Sequence, residues 1–360
     1  MTDKLRVGII GCRGIALGKH LPSLAKLGHV EVTAFCDIVK EKAISAAKQY
    51  GSETARVYED YRELVSDAGV DVVHVCTPND SHAEITVAAL EAGKHVMCEK
   101  PMAITSMDGR KMVEAAKRTG KKLTIGYQNR FRADSQYLHQ VCEEDGLGHI
   151  YFAKAHALRR RGVPTWGVFL DEQKQGGGPL IDIGTHALDL ALWMMNNYEP
   201  KVVLGSSHHE LSKFEHAANA WGAWDPKKFT VEDSAFGFIV MKNGATIILE
   251  SSWALNTLDI GEAQCSLSGT KAGADMRGGL HIHGEQYGKL YTSDVQLQGA
   301  GADFFEGHTD NAADLEMKMW IEAVMLDKEP LVKPEEALVV TEILEAIYQS
   351  AHTGEAVYFS

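Results

Sequence analysis

Asp182, His186 and Asp189 stand at i, i+4 and i+7 inside GGGPLIDIGTHALDLALWMM, the oiliest run of the chain (Gly176 to Met195). On a helix that spacing puts three polar side chains in one narrow stripe. A buried ionised carboxylate is costly unless something pairs with it. A helix with one wet side does not explain the pattern, because Ile181, Ile183, Leu188, Leu190 and Leu192 spread around the other directions. The stripe therefore reads as a pocket wall. Its chemistry is acid–base: an imidazole titrates near neutrality and takes a proton from an alcohol, while a carboxylate at i−4 fixes and tunes it. Metal binding is the other option for Asp182 and His186. It needs further ligands, and nothing ties His281 and His283 of GLHIHG to this helix, so no metal is expected.

Lys100 joins these candidates. Pro101 follows it and keeps its backbone out of the helical region. It also sits at the end of a strand. The first third of the chain alternates strand with helix. The strands are Leu5–Ile10, 30–37, 71–76, 94–98 and 122–126, and helical stretches cover 15–27, 40–50, 81–92 and 106–118. Continuous apolar strands separated by such helices indicate a doubly wound parallel sheet, with ligands beyond the carboxyl ends of its strands. Gly11 to Gly14, Asp37, Thr77 to Asn79, Glu99 to Pro101 and Gly126 to Arg130 all lie at those ends.

The first of these exits carries a dinucleotide signature with one odd letter. In Gly11-Cys12-Arg13-Gly14-Ile15-Ala16, Gly11 and Ala16 fit the outer positions of G-x-G-x-x-G/A, and Arg13 takes the middle one. Gly14 takes over part of the missing role, and amide groups at the helix start hold phosphates. Asp37 ends the next strand, where a carboxylate bonds ribose hydroxyls; the plainer reading is a helix N-cap. A carboxylate followed by Ile38 favours NAD over NADP, with Lys40 and Arg13 as the counterweight.

After Arg130 the rhythm changes. A helix at 133–144 and a strand at 150–160 precede the oily helix. Runs with β alternation follow at 202–208, 234–241, 246–253 and 263–268, with a hairpin turn at Lys242-Asn243-Gly244. Helices at about 310–326 and 334–351 close the chain. The expected fold is α/β: a Rossmann domain over residues 1–127, then an α+β domain over 128–360 with a large, mainly antiparallel open sheet. An open sheet face rich in Val, Ile, Trp and Phe predicts a homodimer or homotetramer through that sheet.

Composition narrows the partners. With 49 acidic and 36 basic side chains the formal charge is −13, which excludes nucleic acid as the expected partner. The six cysteines form no CxxC pair, and no apolar run approaches the roughly 18 residues of a membrane span. The expected location is the cytoplasm, with no membrane contact.

The chain resembles the Gfo/Idh/MocA family of nicotinamide-dependent sugar and cyclitol oxidoreductases. The resemblance runs from VGIIGCRGIA through CTPNDSHAE, CEKPMA and GGGPLIDIGTHALD to VEDSAFGFIVMKNGA and ILEAIYQSAHTGEAV. It implies a catalytic set of Lys100, Asp182 and His186. It also implies a cofactor site of Gly11, Arg13, Gly14, Ile15, Asp37, Thr77, Pro78, Asn79, His82, Glu99, Lys100 and Gln128. Arg13 departs from the family's second glycine. The implied reaction passes hydride between NAD and a secondary ring hydroxyl, with a sugar or polyol as substrate. Substrate contacts are expected at Lys100, Tyr127, Arg159, Trp166, Asp182 and His186. Trp166 would stack on a sugar face, while Arg159, Arg160 and Arg161 read equally as a solvated basic edge. Asn129 and Arg130 are further candidates, and Asp189 either bonds a substrate hydroxyl or caps the polar network. Two rival readings stay open: an NAD-dependent glycosidase acting by transient oxidation and elimination, and a dinucleotide-sensing binding protein.

Overall fold

A computed structural model describes residues 4–297 and 311–360. The chain forms two compact units, one of Met1–Gln128 with Asp310–Leu338 and one of Asn129–Thr309 with Val339–Ser360.

The first unit is built on six parallel strands: β1 (Leu5–Ile10), β2 (Val30–Cys36), β3 (Arg56–Tyr58), β4 (Val72–Val75), β5 (His95–Cys98) and β6 (Leu123–Ile125). Their order is β3-β2-β1-β4-β5-β6, the doubly wound arrangement whose switch point lies between β1 and β4. Val7, Ile9, Phe35 and Val72 are fully buried, as strands covered on both faces require. The helix Ala312–Met325 packs into this unit, although a division of the chain at residue 127 groups it with the second. Met317, Trp320 and Ile321 enter the same core as Val7, Leu21, Leu24 and Phe35. The expected start of that helix at Asp310 lies outside the described residues.

The second unit holds nine strands: β7 (Ile150–Leu158), β8 (Pro200–His208), β9 (Ser234–Met241), β10 (Thr246–Ser252), β11 (Gly261–Gly269), β12 (Ala272–Asp275), β13 (His281–Gln286), β14 (Lys289–Asp294) and β15 (Val357–Tyr358). The order is β14-β13-β12-β11-β7-β10-β9-β8-β15, antiparallel except where β7 meets β10. The predicted hairpin turn is present: Gly244 has φ +89°, and the Ala245 N–H donates to Asn243 Oδ1 at 3.0 Å. One face packs against helix Thr185–Met195 over β7 and β11, and against Ile347 over Gly205 and Gly237. On the other face the register aligns Leu204, Phe238, Ile248 and Lys154 in one row. Leu204 and Phe238 are about half exposed there.

Gly11 follows β1 at φ +90°. A Cβ on it would meet the Cys76 carbonyl oxygen at 2.6 Å and the Thr77 nitrogen at 2.9 Å. Gly14, at φ +40°, has open space instead. Gly11→Ala is therefore expected to cost more than about 2 kcal/mol of unfolding free energy, against about 1 kcal/mol for Gly14→Ala. Paired urea titrations check this ordering.

Candidate active site

In the first unit the glycine turn is tied to the end of β2. The Gly11 N–H donates to the Cys36 carbonyl at 2.8 Å, and the Cys12 N–H donates to Asp37 Oδ2 at 3.0 Å. Asp37 Oδ1 accepts from the Val39 N–H at 2.9 Å. Asp37 is not the N-cap of the next helix, because that position belongs to Val39. A carboxylate has about four acceptor sites, so two amide bonds leave capacity for ribose hydroxyls. Arg13, Gly14 and Ile15 are exposed, and the chain continues as a π-helical turn (Ala16–His20) into a short helix (Leu21–Leu24). A turn that requires glycine at position 11, with Asp37 beside it, fits a dinucleotide.

The β4 and β5 exits are joined by His82. It is buried, with Nδ1 2.8 Å from the Pro101 carbonyl and Nε2 2.9 Å from the Thr77 carbonyl. Burial lowers its pKa, and both carbonyls oppose that shift. Ser81 Oγ donates to Thr77 Oγ1 at 2.8 Å, which fixes the Thr77-Pro78-Asn79 turn.

Glu99 lies beneath Lys100. It is buried, and its carboxylate accepts from the Lys100 N–H at 3.2 Å, from His20 Nε2 at 2.8 Å and from the Lys19 ammonium. Lys19 also meets Glu316 Oε2 at 3.0 Å. His20 Nδ1 lies 2.9 Å from His74 Nδ1, and the Trp320 indole N–H donates to His74 Nε2 at 3.2 Å. The indole can only donate, so the chain has one proton order for neutral rings: Trp320 to His74, His74 to His20, His20 to Glu99. Both imidazoles are held below their ordinary pKa, first by burial. Burial also works against the charge of Glu99, but Lys19 and His20 hold its carboxyl well below the usual range. Burial pushes Glu316 up to about 7 despite Lys19. Lys100 itself is half-buried, Tyr127 is fully buried and Gln128 is half-buried.

In the second unit the oily segment begins with a π-helical turn, Leu180–Gly184, before helix Thr185–Met195. The Thr185 N–H donates to the Leu180 carbonyl five residues back. Asp182 is half-buried, and its Oδ2 accepts from the Trp253 indole N–H at 3.1 Å. His186 is buried one turn on. The start of the segment is gripped by Glu232. Its Oε2 accepts from the Gly178 N–H at 2.8 Å, and its Oε1 accepts from the Leu180 N–H at 3.1 Å and the Tyr348 hydroxyl at 2.8 Å. A Cβ on Gly177 would overlap the Tyr348 hydroxyl, and one on Gly178 would overlap the Glu232 carbonyl. The glycine run thus exists to let this clamp close. Burial pushes Glu232 up to about 7, against the bonds it accepts from Gly178, Tyr348 and Leu180.

The polar stripe divides. Asp189 is 1% exposed and takes the fully buried Arg130: Nη2 to Oδ1 at 2.7 Å, Nε to Oδ2 at 3.0 Å. Arg130 also lies over the Trp193 ring, with 5.3 Å to its centroid. Asp189 therefore caps the polar network, and Arg130 is its structural partner. Arg159 donates from Nη2 to Glu262 at 2.7 Å and from Nη1 to the Gly162 carbonyl at 3.0 Å. Trp166 is half exposed. His281 and His283 pair with Asp294 and Thr292 on the β13–β14 hairpin. Among the described residues no group of three or more His, Cys, Asp or Glu side chains is placed to hold a metal ion. None is long and apolar enough, among the described helices, to cross a membrane. Sequence reasoning missed Glu232, Trp253, Lys19, His20, His74 and Glu316. Of these only His74 carries a visible signal, a ring-nitrogen letter inside the apolar run DVVHVC.

Comparison with known proteins agrees with both halves of this layout. The model of an oxidoreductase family with an NAD-binding Rossmann fold matches residues 5–127, and that of its C-terminal alpha/beta domain matches residues 140–359. The chain belongs to the Gfo/Idh/MocA family. Gfo/Idh/MocA relatives include D-glucoside 3-dehydrogenase of Escherichia coli (strain K12), 38% identical over 99% of this chain and 98% of its own. Inositol 2-dehydrogenase of Salmonella paratyphi B is 32% identical over 53% of this chain and 55% of its own. Among solved structures, the aldose-aldose oxidoreductase of Caulobacter crescentus is 27% identical at a TM-score of 0.80, covering 99% of this chain and all of its own. A levoglucosan dehydrogenase in complex with NADH and levoglucosan, at 22% identity and a TM-score of 0.82 over 99% of each chain, shares the fold.

Two outcomes are expected from the second unit. Asp189→Ala leaves Arg130 charged and buried, so it costs about 3–5 kcal/mol by chemical denaturation. The raised pKa of Glu232 means the folded state binds more protons than the unfolded one between its ordinary 4.5 and about 7. Its contribution is then fully present at low pH and declines as pH rises through that window. The stability of the wild type minus that of Glu232→Gln should fall by about 2–3 kcal/mol from pH 4.5 to pH 8.

Proposed function

We propose that this oxidoreductase is an NAD-dependent dehydrogenase of a secondary ring hydroxyl on a sugar, sugar derivative or cyclitol, with Lys100, Asp182 and His186 as its catalytic set. The observation that carries the reading is the presence of all three in a chain 38% identical, along nearly its whole length, to a relative named D-glucoside 3-dehydrogenase. NAD, when bound, supplies the hydride acceptor. His186 takes the hydroxyl proton as the C–H bond breaks. Lys100 hydrogen-bonds the same oxygen and offsets the charge that develops there. Asp182, held on its other side by the Trp253 indole, orients the imidazole and the substrate oxygen.

Gly11, Arg13, Gly14 and Ile15 would receive the pyrophosphate, and Asp37 the adenosine ribose. The Asp37 charge and the exposed Ile38 favour NAD over NADP. Thr77, Pro78, Asn79 and Gln128 would line the nicotinamide side, with His82 and Glu99 acting from below by fixing the two turns. Tyr127, Arg159 and Trp166 are proposed substrate contacts. The open sheet face, with Leu204 and Phe238 exposed on it, supports a homodimer or homotetramer. The cytoplasm is the proposed location.

The test is a panel of hexoses, uronic acids, inositols and glycosides, read by NADH absorbance with product chromatography. Stoichiometric NADH supports a net dehydrogenase; cleaved glycoside without NADH assigns the elimination reaction instead. His186→Ala and Lys100→Ala are each expected to lower kcat by about 10²–10⁴-fold. Full turnover by Lys100→Ala would overturn the assigned roles.

A further inference from the structure

An aromatic row leads away from Asp182 in the second unit. Trp253, which bonds Asp182, is fully buried and has Phe169 at 6.5 Å between ring centroids. Phe169 meets Trp166 at 6.0 Å, and Trp166 meets Trp221 at 5.0 Å with the planes 79° apart. The inner end is sealed, with Trp253 0% exposed, and the outer end is open, with Trp166 52% and Trp221 44% exposed. The Arg159 guanidinium lies 5.1 Å over the Trp221 ring and is itself held by Glu262.

Two half-exposed tryptophans set at a corner form a large apolar surface, and water gains nothing from it. The corner is also held rigid. Asn219 exchanges bonds with both the N–H and the carbonyl of Val163, at 2.8 and 2.9 Å, and donates to the Gly222 carbonyl at 2.8 Å. Thr165 Oγ1 donates to the Trp221 carbonyl at 2.7 Å. The segment carrying Trp166 and the one carrying Trp221 are thus stitched together on both sides of the corner. A preorganised platform loses little entropy on binding.

We infer that Trp166 and Trp221 form an outer subsite for the second ring of a glycoside, so that the preferred substrate is a disaccharide or aryl glycoside rather than a free monosaccharide or cyclitol. The inference rests on the dehydrogenase reading and deepens it. A pyranose ring presents an apolar C–H face and a polar rim. Stacked on an indole it keeps its rim hydroxyls free, and Arg159 and Glu262 offer a donor and an acceptor beside the platform. A cyclitol has one ring. Once that ring stands at Asp182, nothing remains of it to cover the corner.

The experiment compares cellobiose with methyl β-D-glucopyranoside, using the full chain with NAD. For Trp221→Ala, and for Trp221→Leu, which keeps bulk without ring faces, the cellobiose-to-monoglucoside ratio of kcat/KM is expected to fall about tenfold or more. A ratio within about twofold of wild type would overturn the subsite. An unchanged ratio together with a smaller mass by light scattering would assign the corner to a contact between copies of the chain, which also overturns it. If wild type oxidises neither sugar, the wider panel above decides the dehydrogenase reading, and saturation-transfer NMR of cellobiose still decides the subsite. Transfer seen in wild type and lost in Trp221→Leu supports it; no transfer in wild type overturns it.

Discussion

A carboxylate sealed inside a protein dictates what surrounds it. Glu99 is such a group, and the first unit is arranged to satisfy it. Lys19 and His20 reach it from the turn after the glycine loop, and the backbone of Lys100 donates to it. Behind His20 stand His74 on β4 and Trp320, 246 positions beyond His74 in the chain. The same carboxylate therefore joins the glycine turn, the centre of the sheet and the backbone of Lys100. Removing one partner leaves an uncompensated charge, so the members are bound to one another energetically. Such a network is a way of holding one backbone amide still.

The second unit solves the matching problem with less charge. Asp182 lies in the over-wide turn and His186 just beyond it, and the start of that segment is gripped by Glu232 and Tyr348. A π-helical turn in a core segment is a local departure from the best backbone geometry and often accompanies a functional site. Here it separates the directions of Asp182, which meets Trp253, and Asp189, which meets Arg130. One carboxylate is half-buried against an indole N–H, and the other is consumed by a buried ion pair.

Much of this is legible in the letters. The parallel strands are continuous β-branched runs, the hairpin announces itself as Lys242-Asn243-Gly244, and Asp182 and His186 betray themselves as polar letters in an oily helix. The three-residue strand Arg56–Tyr58 is too short to carry a pattern. The even stripe through Asp189 assumed 3.6 residues per turn, and one wider turn breaks that assumption. The fate of Arg130 was hidden for another reason. An arginine at a strand exit looks the same whether it meets a ligand or a buried aspartate 59 positions away. Long-range pairing of charges leaves no periodic trace, which is why Lys19, Glu316 and Trp320 were silent.

The discontinuity of the first unit bears on how the chain is made. At about 5–20 residues per second, the ribosome finishes Gln128 well before it reaches Trp320. During that interval Lys19 and His74 lack their last partners, and the core face later covered by Met317 and Ile321 stays bare. The nascent N-terminal sheet is thus an unfinished body awaiting a late delivery. A gene fragment ending at residue 128 would encode that unfinished body permanently.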